Sequence, residues 1–483
     1  MISAIGGTVR QLLDGDAYNA ELSPDESRIA YQARGGIWVM GANGESPREL
    51  VPREKDITVS KPQWSPDGRR VACLRFRATP RQATIESREA TGGPPAVMVS
   101  LPTRGDYCWL RDGTILYVLA EPPPNEGSAN LWQLSVDTKT GQPAGQPRRY
   151  TKWLGASFTA LSASDDGKRL AYMRGLSQSD VWVGQLRTNT QWSRDPWKLT
   201  LDERSDWPGG WTPDSRYILF FSDRNGHYDI FRHAVDGPTS EAILTSSEEK
   251  RAPQASPDGS WILYWSWPRS SSGGLPGAGR LMRAPMAGGT PQPILEIKEY
   301  PGPIENYGNR VSRGNPSFRC PSRAGASCVL AEPDDRTLVF SALDPVAGRK
   351  HVIAGIAVAK PRETAWDLSP DGSRIVVQLS QGEESCLYRI LNITGERQRD
   401  VAVENTTACL LVAWSANGQS LFVTKYALRA HTLMHVTLDG KPTELRQSPT
   451  WFDLPKPSPD GRYLAFADTS AYSNAWLIED ISR

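Results

Sequence analysis

The residues that could perform chemistry are few in this sequence, and each stands in a pattern that also has a structural explanation. His431 and His435 are four residues apart in the segment HTLMH. A zinc protease needs such a pair on one helix face with a glutamate between them, whereas Leu433 and Met434 are typical of a strand. We therefore expect strand histidines that face solvent, and we predict no metal site.

A nucleophilic hydrolase would carry its serine in a GxSxG turn, and the sequence contains no such motif. The nearest segment, GASCV at residues 325–329, lacks the second glycine. The sequence also lacks a P-loop, a dinucleotide-binding loop and the kinase signatures. No catalytic residue and no cofactor is predicted, and the binding residues stay unknown at this stage.

The segment SDRNGHYD at residues 222–229 combines the composition of a hairpin loop with that of a ligand-binding loop. It contains Asp223, Arg224, His227 and Asp229. Carboxylate, guanidinium and imidazole groups could together bind a polar ligand or transfer a proton. Turn residues that hydrogen-bond to one another are the simpler interpretation, and we expect a satisfied hairpin.

Aspartates recur at one position of a repeated motif, SPDG or a close variant of it. Repeated carboxylates are compatible with metal binding or acid–base catalysis. However, Pro sets φ at the first corner of a turn, Asp bonds its own backbone and Gly adopts positive φ, so turn geometry explains them better. The aspartate position falls at Asp25, Asp67, Asp112, Asp166, Asp214, Asp258, Asp371, Asn417 and Asp460.

These motifs are 42 to 54 residues apart, except for one gap of 113 residues that should contain a degenerate copy. Each is followed by an apolar strand, a second strand signal and a more polar strand. A period of roughly 40 to 45 residues is typical of four-stranded propeller blades. We therefore predict an all-β fold, a β-propeller of about ten four-stranded blades in one large ring or two smaller rings. The predicted blades span residues 22–50, 62–101, 106–151, 158–200, 207–245, 252–295, 313–357, 364–401, 409–446 and 455–483 plus 5–13.

The two ends of the sequence complement each other. Residues 5–13 look like the last strand of a blade, and the final unit reaches Arg483 without such a strand. We predict that Thr8 to Leu13 pairs with the C-terminal blade and closes the ring, which would remove two free edges. The alternative that Met1 lies within a longer protein is compatible with this pairing. Residues 296–316 are either a boundary between two rings or a long loop between blades.

The repeats resemble the TolB-like, WD-repeat-like β-propeller repeats of bacteria over nearly the whole chain. Residues 153–155 (WLG), 207–208 (WP), 222–226 (SDRNG) and 340–345 (FSALDP) also resemble the C-terminal propeller region of bacterial serine/threonine kinases and winged-helix regulators. The resemblance implies a non-catalytic scaffold that binds a protein or small ligand, as the sensor or interaction module of a signalling or TolB-like system. The alternative is a hydrolase or lyase with an active site at the channel mouth, or a propeller appendage of a peptidase, since propellers host both classes.

Charge and hydropathy restrict the partners. The sequence has 55 Lys and Arg against 54 Asp and Glu, a net charge of +1, which argues against nucleic-acid binding. It has no run of 18 apolar residues and no signal-peptide pattern, so direct membrane insertion is not expected. At face value the chain is cytoplasmic, or extracytoplasmic if it is part of a larger membrane-anchored protein. Expected partners are proteins, with a small ligand in the central channel as a further option.

Cysteines and tryptophans leave two questions open. Cys320 and Cys328 could form a disulfide across a tight hairpin or remain two buried thiols. Several tryptophans recur at fixed blade positions, where packing between blades explains them, namely Trp38, Trp64, Trp132, Trp182, Trp211, Trp414 and Trp476. Four lie outside the repeat and are candidates for surface roles, namely Trp192, Trp197, Trp267 and Trp451.

Overall fold

A computed structural model of the chain describes residues 11–481 apart from residues 78–81, 103–104, 122–128, 154–156, 165, 189, 269–278, 298–315, 362–363, 380–385, 405, 407–408 and 427–429. The described residues contain 37 β-strands and no α-helix, so no helix among them could cross a membrane. Their strands pair into eight four-stranded sheets and one five-stranded sheet. The chain divides into two compact units.

The turn that begins each repeat follows from its motif. In the first copy Ser23 Oγ donates to Asp25 Oδ1 at 2.6 Å, and the backbone N–H of Ser27 donates to the same oxygen at 3.2 Å. Gly68, in the second copy, has φ 66°, which glycine adopts without a Cβ penalty. In seven further copies the hydroxyl of the turn Ser or Thr donates the same hydrogen bond to the side chain two residues later. The acceptors are Asp67, Asp166, Asp214, Asp258, Asp371, Asn417 and Asp460. The repeated aspartates therefore stabilise turns, and no cluster of metal-binding side chains occurs among the described residues.

Unit 1 contains the described residues up to Leu176 and from Tyr472 onward. In three of its sheets the strands lie side by side in chain order. These sheets contain β1 (Ala17–Leu22), β2 (Arg28–Ala33), β3 (Gly36–Gly41) and β4 (Arg48–Val51); β5 (Ile57–Trp64), β6 (Arg70–Arg77), β7 (Gln82–Glu89) and β8 (Ala96–Leu101); and β9 (Tyr107–Trp109), β10 (Thr114–Ala120), β11 (Ala129–Ser135) and β12 (Arg148–Arg149).

Unit 2 contains the described residues from Ser177 to Ala471. Five of its sheets also follow chain order. They contain β16 (Asp206–Trp211), β17 (Tyr217–Ser222), β18 (Asp229–Ala234) and β19 (Ser240–Leu244); β20 (Glu249–Ala255), β21 (Trp261–Trp267), β22 (Gly279–Pro285) and β23 (Gln292–Ile297); β24 (Ser317–Arg319), β25 (Cys328–Asp334), β26 (Thr337–Asp344) and β27 (Gly348–Ala357); β28 (Trp366–Leu368), β29 (Arg374–Gln378), β30 (Leu387–Asn392) and β31 (Arg397–Ala402); and β32 (Cys409–Trp414), β33 (Ser420–Tyr426), β34 (His431–Thr437) and β35 (Pro442–Ser448).

The five-stranded sheet joins strands from distant parts of the chain. It contains β13 (Ser157–Ala163), β14 (Arg169–Thr188), β15 (Gln191–Lys198), β36 (Trp451–Pro457) and β37 (Tyr463–Glu479). The backbone N–H of Leu186 donates to Arg462 O at 2.7 Å, and that of Ile481 donates to Lys168 O at 3.1 Å, so β14 and β37 run antiparallel. Both strands pass from one unit to the other, and counting their sheet once in each unit gives ten sheets.

The six sheets of unit 2 contact one another in a cycle. Strand β16 contacts β20, β28 contacts β32, β32 contacts β36, and β36 contacts β16. The Gln254 amide links β20 to β24 by donating to Phe318 O at 2.9 Å. Trp366 Nε1 links β28 to β24 by donating to Ser317 Oγ at 2.8 Å. The first strand of each sheet therefore lies in a ring of six first strands.

The core of unit 2 lies between successive sheets. Trp414, Tyr388 and Val376 pack together between the sheets that begin with β28 and β32. Phe340 meets Trp366 edge-on, with ring centroids 5.1 Å apart. Each such side chain contributes about 1.5–3 kcal/mol when fully buried. The all-β fold of repeated four-stranded sheets is confirmed.

The N-terminal closing strand lies mostly in residues 1–10, outside the described residues, and remains a prediction. The described residues 11–13 form no strand, and Leu12 and Leu13 pack against a cluster that includes Ile29 and Tyr31. Strand β37 of the final blade pairs with β36 and with β14, and β14 in turn pairs with β15. The candidate ring boundary at residues 296–316 also lies largely outside the described residues, and both of its flanks belong to unit 2.

Two disulfides are present among the described residues. Cys320 and Cys328 are bonded with their Cα atoms 4.2 Å apart, which decides between the two alternatives that the sequence left open. Cys386 and Cys409 form a second disulfide that we did not predict, because its cysteines precede or begin strands of different sheets. Cys73 and Cys108 are free and buried, and burial raises the pKa of each thiol to about 12.

Candidate functional site

One position in the first strands reaches across to the neighbouring sheet. We call it the link position, and it lies two residues before the Ser or Thr that begins the turn, or before Pro321 in the sheet that begins with β24. In unit 1, Glu21 Oε2 accepts from the backbone N–H of Trp64 at 3.1 Å. In unit 2, Asp367 Oδ2 accepts from the backbone N–H of Trp414 at 2.9 Å. The link positions of unit 2 are Gly210, Gln254, Arg319, Asp367, Ala413 and Lys456.

A β-bulge precedes the link position in most first strands. In β36 the register shifts between Asp453 and Lys456, and Leu454 has φ 51°. Strands β5 and β20 have the same shift in pairing register, and each contains a residue with positive φ at that point, Lys61 and Ala252 respectively. A bulge bends its strand and changes the direction of the following side chains. It therefore allows the link side chain to point toward the next sheet.

The side chains of two link residues on neighbouring sheets, Gln254 and Arg319, form hydrogen bonds and an ion pair within the protein. Gln254 donates to Phe318 O at 2.9 Å and accepts from the backbone N–H of Cys320 at 3.0 Å. Arg319 Nη1 donates to Phe318 O at 2.9 Å, and Arg319 Nε lies 3.2 Å from Asp367 Oδ1. The charge of Arg319 is thus balanced by Asp367, which also holds the backbone of β32.

Lys456 differs from the other polar link residues of unit 2 because its side chain has no partner among the described residues. An ammonium group cannot accept a hydrogen bond from the next strand. Only the Lys456 carbonyl links the sheets, because it accepts from Trp211 Nε1 at 2.8 Å. Within the described part of the chain, no hydrogen bond or ion pair involves the ammonium. Burial lowers the pKa of Lys456 to about 7, the charge of Arg319 lowers it further, and Asp367 opposes them.

The link residues on either side of Lys456 are small. Ala413 lies on β32 and Gly210 on β16, the two first strands that contact β36. A Cβ placed on Gly210 would meet its nearest atoms at 3.5 to 3.6 Å, an ordinary contact distance. A Cβ on Gly209 would lie 2.3 Å from Pro253 O, so Gly209 is required for close approach of β20. We define the ring site as Lys456, Arg319 and Asp367 with these two small residues.

Lys456→Met is expected to remove a pH dependence of stability above neutral pH. Lysine has a pKa of about 10.4 in an unfolded chain, whereas the folded value is about 7. Between these values the unfolded chain binds more protons, so the free energy of unfolding rises with pH. The destabilisation by charged Lys456 is complete below about pH 7 and disappears as pH approaches about 10. Urea unfolding at pH 7 and 9.5 should show that the change in the free energy of unfolding is more positive in the wild type than in Lys456→Met. The expected difference is on the order of 2 kcal/mol after allowance for solvent screening, because the other titrating groups are common to both.

The control for this experiment is Lys441→Met, which removes an exposed lysine. It should retain the pH dependence of the wild type. An identical pH dependence in wild type and Lys456→Met would contradict the lowered pKa of Lys456.

The polar hairpin singled out in the sequence has partners within the protein. Arg224 Nη2 donates to Asp206 Oδ1 at 3.0 Å and lies 2.6 Å from Asp202 Oδ2. Asp223 accepts from the backbone N–H of Ser205 at 2.9 Å. Burial raises the pKa of Asp206 to about 7, and Arg224 opposes this shift. These bonds agree with a satisfied hairpin.

The second half of the hairpin surrounds a buried ion pair. Lys250 Nζ donates to Asp229 Oδ1 at 2.7 Å, and both side chains are almost completely buried. Asp229 Oδ2 accepts from Asn225 at 2.9 Å and lies 3.3 Å from His227 Nε2. His227 Nε2 also lies 2.6 Å from Ser246 O. His227 is therefore a hairpin residue that is bonded to its neighbours.

The predicted exposure of two histidines is wrong. His431 and His435 lie on β34, as expected for a strand, but they are 6% and 5% exposed. The His431 ring packs 4.1 Å from the Trp451 ring, and the His435 ring meets Phe422 edge-on. Burial lowers the pKa of His435. The sequence did not reveal this burial because β34 is an inner strand of its sheet, with side chains packed on both faces.

The tryptophans are also divided differently from the prediction. Trp267, a candidate for a surface role, is buried, and Trp192 Nε1 donates to Leu445 O at 3.0 Å. Trp476, which was assigned to packing between blades, is 46% exposed. It lies in the part of β37 that belongs to unit 1, where Arg174 stacks on its ring.

Sequence reasoning missed the ring site, although a signal was present. When the repeats are aligned on the turn Ser or Thr, the position two residues earlier is Glu21, Gln63, Gln254, Asp367 and Lys456 in five of them. Four of these side chains can accept a hydrogen bond, and the lysine cannot. That difference in hydrogen-bonding capacity distinguishes Lys456 from these four counterparts. Arg319, the other cationic link residue, falls outside this alignment because Pro321 stands in place of the turn Ser or Thr.

Comparison with known proteins gives few matches in sequence and several in structure. No family model matches the chain. An uncharacterised protein of Agrobacterium fabrum is 27% identical over 212 residues, which are 43% of this chain and 65% of that protein. The matched part therefore spans less than two thirds of that relative.

Solved structures that match parts of this chain include two TolB proteins. TolB from Agrobacterium tumefaciens is 18% identical, with a TM-score of 0.24, over 59% of this chain and 82% of that one. TolB from Acinetobacter baumannii is 15% identical, with a TM-score of 0.22, over 70% and 62%. The tricorn protease is 14% identical, with a TM-score of 0.29, over 97% and 44%. The repeated four-stranded antiparallel sheets of this chain fit a β-propeller.

Proposed function

We propose that the chain is a non-catalytic binding module, and that the ring site of unit 2 holds a polar group of a protein partner or of a small ligand. The observation that carries this proposal is the ammonium of Lys456. It lies in a ring of link residues without a partner among the described residues, between two small side chains. Lys456 is partly buried. A partly desolvated charge without a partner is unfavourable, so a ligand that supplies one would gain free energy from this position.

Binding is favoured over catalysis by the state of the carboxylate in the ring site. Asp367 faces Arg319 at 3.2 Å and accepts from the backbone N–H of Trp414 at 2.9 Å. Asp367 is paired with the Arg319 guanidinium through Oδ1 and holds the backbone of β32 through Oδ2. We therefore assign it to positioning Arg319 and β32 rather than to proton transfer.

The lowered pKa of Lys456 supports one alternative, an enzyme that uses this amine as a nucleophile. A lysine beside another cation is partly neutral near pH 7 and can add to a carbonyl carbon, which releases water and leaves an imine. Incubation with pyruvate and sodium cyanoborohydride would convert such an imine into a stable adduct. A mass increase confined to the peptide containing Lys456 would favour the enzyme.

Selective acetylation tests whether the ring site is open to solutes, as binding requires. At pH 7 a lysine of ordinary pKa is neutral in roughly one molecule in two thousand, whereas a lysine with a pKa of about 7 is half neutral. A low concentration of acetic anhydride should therefore modify Lys456 well before exposed Lys441, as measured by peptide mass spectrometry. If Lys441 reacts while Lys456 reacts only after unfolding, the ring site is sealed and the proposed function is wrong.

We further propose that this module serves a bacterial signalling or TolB-like system, as the motifs at residues 153–155, 207–208, 222–226 and 340–345 suggest. A kinase or winged-helix domain would then precede it in the same protein. An antibody against the C-terminal residues, used on the native organism, would detect a band much larger than this chain. A band of the size of this chain would contradict such a fusion.

We also propose an extracytoplasmic location, and the two disulfides support it. Disulfides persist in oxidising compartments and are rare in the cytosol. In cells treated with a maleimide before and after reduction, we expect Cys320, Cys328, Cys386 and Cys409 to react only after reduction and unfolding. Cys73 and Cys108 should react after unfolding alone. Four reduced cysteines at these positions in intact cells would contradict this location.

A further inference from the structure

We propose that the free edge of β37 in unit 1 accepts an extended acidic segment of a protein partner as an added β-strand. This edge is a second binding site, made of other residues than the ring site, and it does not depend on the proposed function. It follows from a strand that the sheet lacks, from the composition of the exposed edge and from an arginine at this edge without an anion.

The sheet that β37 joins lacks a fourth strand in unit 1. There, β13 pairs with the first part of β14, up to Gly175, and β14 pairs with β37. Strand β36 pairs with β37 only as far as Thr469, so Tyr472 to Glu479 have no second neighbour among the described strands. The other three sheets of unit 1 each have four strands. One row of backbone N–H and C=O groups is therefore available for a further strand.

The edge has the composition of an interface and not that of a protected edge. The run from Tyr472 to Ile478 contains no charged residue and no proline, which are two devices that proteins use against pairing at an edge. The last strand of another sheet, β31, contains two arginines and an aspartate. Tyr472, Trp476 and Leu477 are 62%, 46% and 54% exposed. An added strand would cover apolar area that is otherwise in water.

Arg174 gives the edge its charge preference. Its guanidinium stacks on the Trp476 ring, with Cζ 5.4 Å from the ring centroid, so it lies over a side chain of β37 although Arg174 belongs to β14. Among the described residues this guanidinium has no ion pair and no hydrogen bond, and its Nε is shielded from solvent without an acceptor. A side chain opposite Trp476 on an added strand would have its Cβ about 4.5–5.5 Å from that of Trp476. A carboxylate there would reach the guanidinium and form charge-assisted hydrogen bonds with it.

Two other occupants match this charge less well. Residues 1–10 contain no aspartate or glutamate, and Leu13, shortly after them, packs against the sheet that contains β2. In a second copy of the chain, the acidic residue of the same edge strand is Glu479, which alternates onto the face opposite to Trp476. Neither of them brings a carboxylate to Arg174, whereas an acidic segment of another protein does.

Hydrogen exchange of the full chain in the presence of model peptides tests this site. The probe is the acetylated and amidated peptide Thr-Val-Thr-Glu-Thr-Val-Thr. Its neutral control has Gln in place of Glu, and a form N-methylated at alternate residues cannot complete the pairing. We expect the acidic peptide to slow exchange within residues 472–479 and to bind about tenfold more tightly than the neutral peptide. The N-methylated peptide should have no effect, and the amides of β31 should respond to none of the peptides.

The variant Arg174→Met removes the charge and keeps an unbranched side chain over Trp476. It should bind the acidic and the neutral peptide equally, as measured by fluorescence anisotropy of labelled peptides. The matched control is Arg148→Met, which removes an exposed arginine of β12 and should retain the preference for the acidic peptide. If Arg174→Met does not fold, the comparison of the peptides on the wild type still decides.

Three results would overturn the inference. The first is equal binding of the acidic and neutral peptides to the wild type, or a preference that survives in Arg174→Met, because charge would then not select the partner. The second is the absence of protection within residues 472–479 with every peptide. The third is slow exchange of these amides in the chain alone, because residues 1–10 or a second copy would then occupy the edge, and dependence on chain concentration would identify the second copy. None of these measurements involves Lys456, so the proposed function is tested separately.

Discussion

Removal of residues 450–483 is expected to unfold unit 2, although five of its six sheets lie upstream. The truncation deletes β36 and β37, so β14 and β15 lose the strands that complete their sheet. It also removes Phe452 and Phe466, which pack with Phe422 of the preceding sheet. Each buried aromatic side chain contributes about 1.5–3 kcal/mol, and a native protein is stable by only about 5–15 kcal/mol in total.

Thermal unfolding followed by circular dichroism checks this expectation. The truncated chain should lack the cooperative transition of unit 2, and trypsin should cleave it within β16 to β35. Removal of residues 482 and 483 alone is the matched control, because it deletes no described strand. A truncated chain that unfolds with the midpoint and cooperativity of the full chain would show that the sixth sheet is dispensable.

The sequence was sufficient to predict the sheets but not their closure. The turn motif is local, because Ser65, Asp67 and Gly68 determine the turn among themselves, and the apolar residues that follow define the strand. The pairing of β14 with β37 joins residues almost 300 positions apart. Nothing in the composition of either segment identifies the other as its partner.

The same limit applies to the site. Link residues act between sheets, so the role of Asp367 depends on the backbone of Trp414, and that of Gln254 on Phe318. The disulfide between Cys386 and Cys409 also connects two sheets. Cys320 and Cys328, in contrast, flank one hairpin, and their proximity could be inferred from the sequence. Interactions within a repeat were therefore predictable, and interactions between repeats were not.

Breaking the buried ion pair between Asp229 and Lys250 is expected to destabilise unit 2 strongly. Asp229 lies on β18 and Lys250 on β20 of the next sheet, and their side chains are 1% and 4% exposed. In Asp229→Asn, the ammonium keeps Glu248 O at 2.7 Å but loses its anion. In Lys250→Met, the carboxylate keeps Asn225 but loses its cation. Each single change should lower the free energy of unfolding by about 3–5 kcal/mol, because it leaves an uncompensated buried charge.

A double-mutant cycle separates the interaction from the loss of each side chain. The double variant Asp229→Asn with Lys250→Met contains neither charge, so it should be destabilised by less than the sum of the single variants. The matched control is the exposed pair Arg232 and Glu241, whose atoms are 2.7 Å apart, and whose removal should change stability by at most about 1 kcal/mol. Urea unfolding at pH 7 measures all these variants. Additive effects in the buried pair, or an equal loss in the exposed pair, would mean that burial does not determine the strength of this link between sheets.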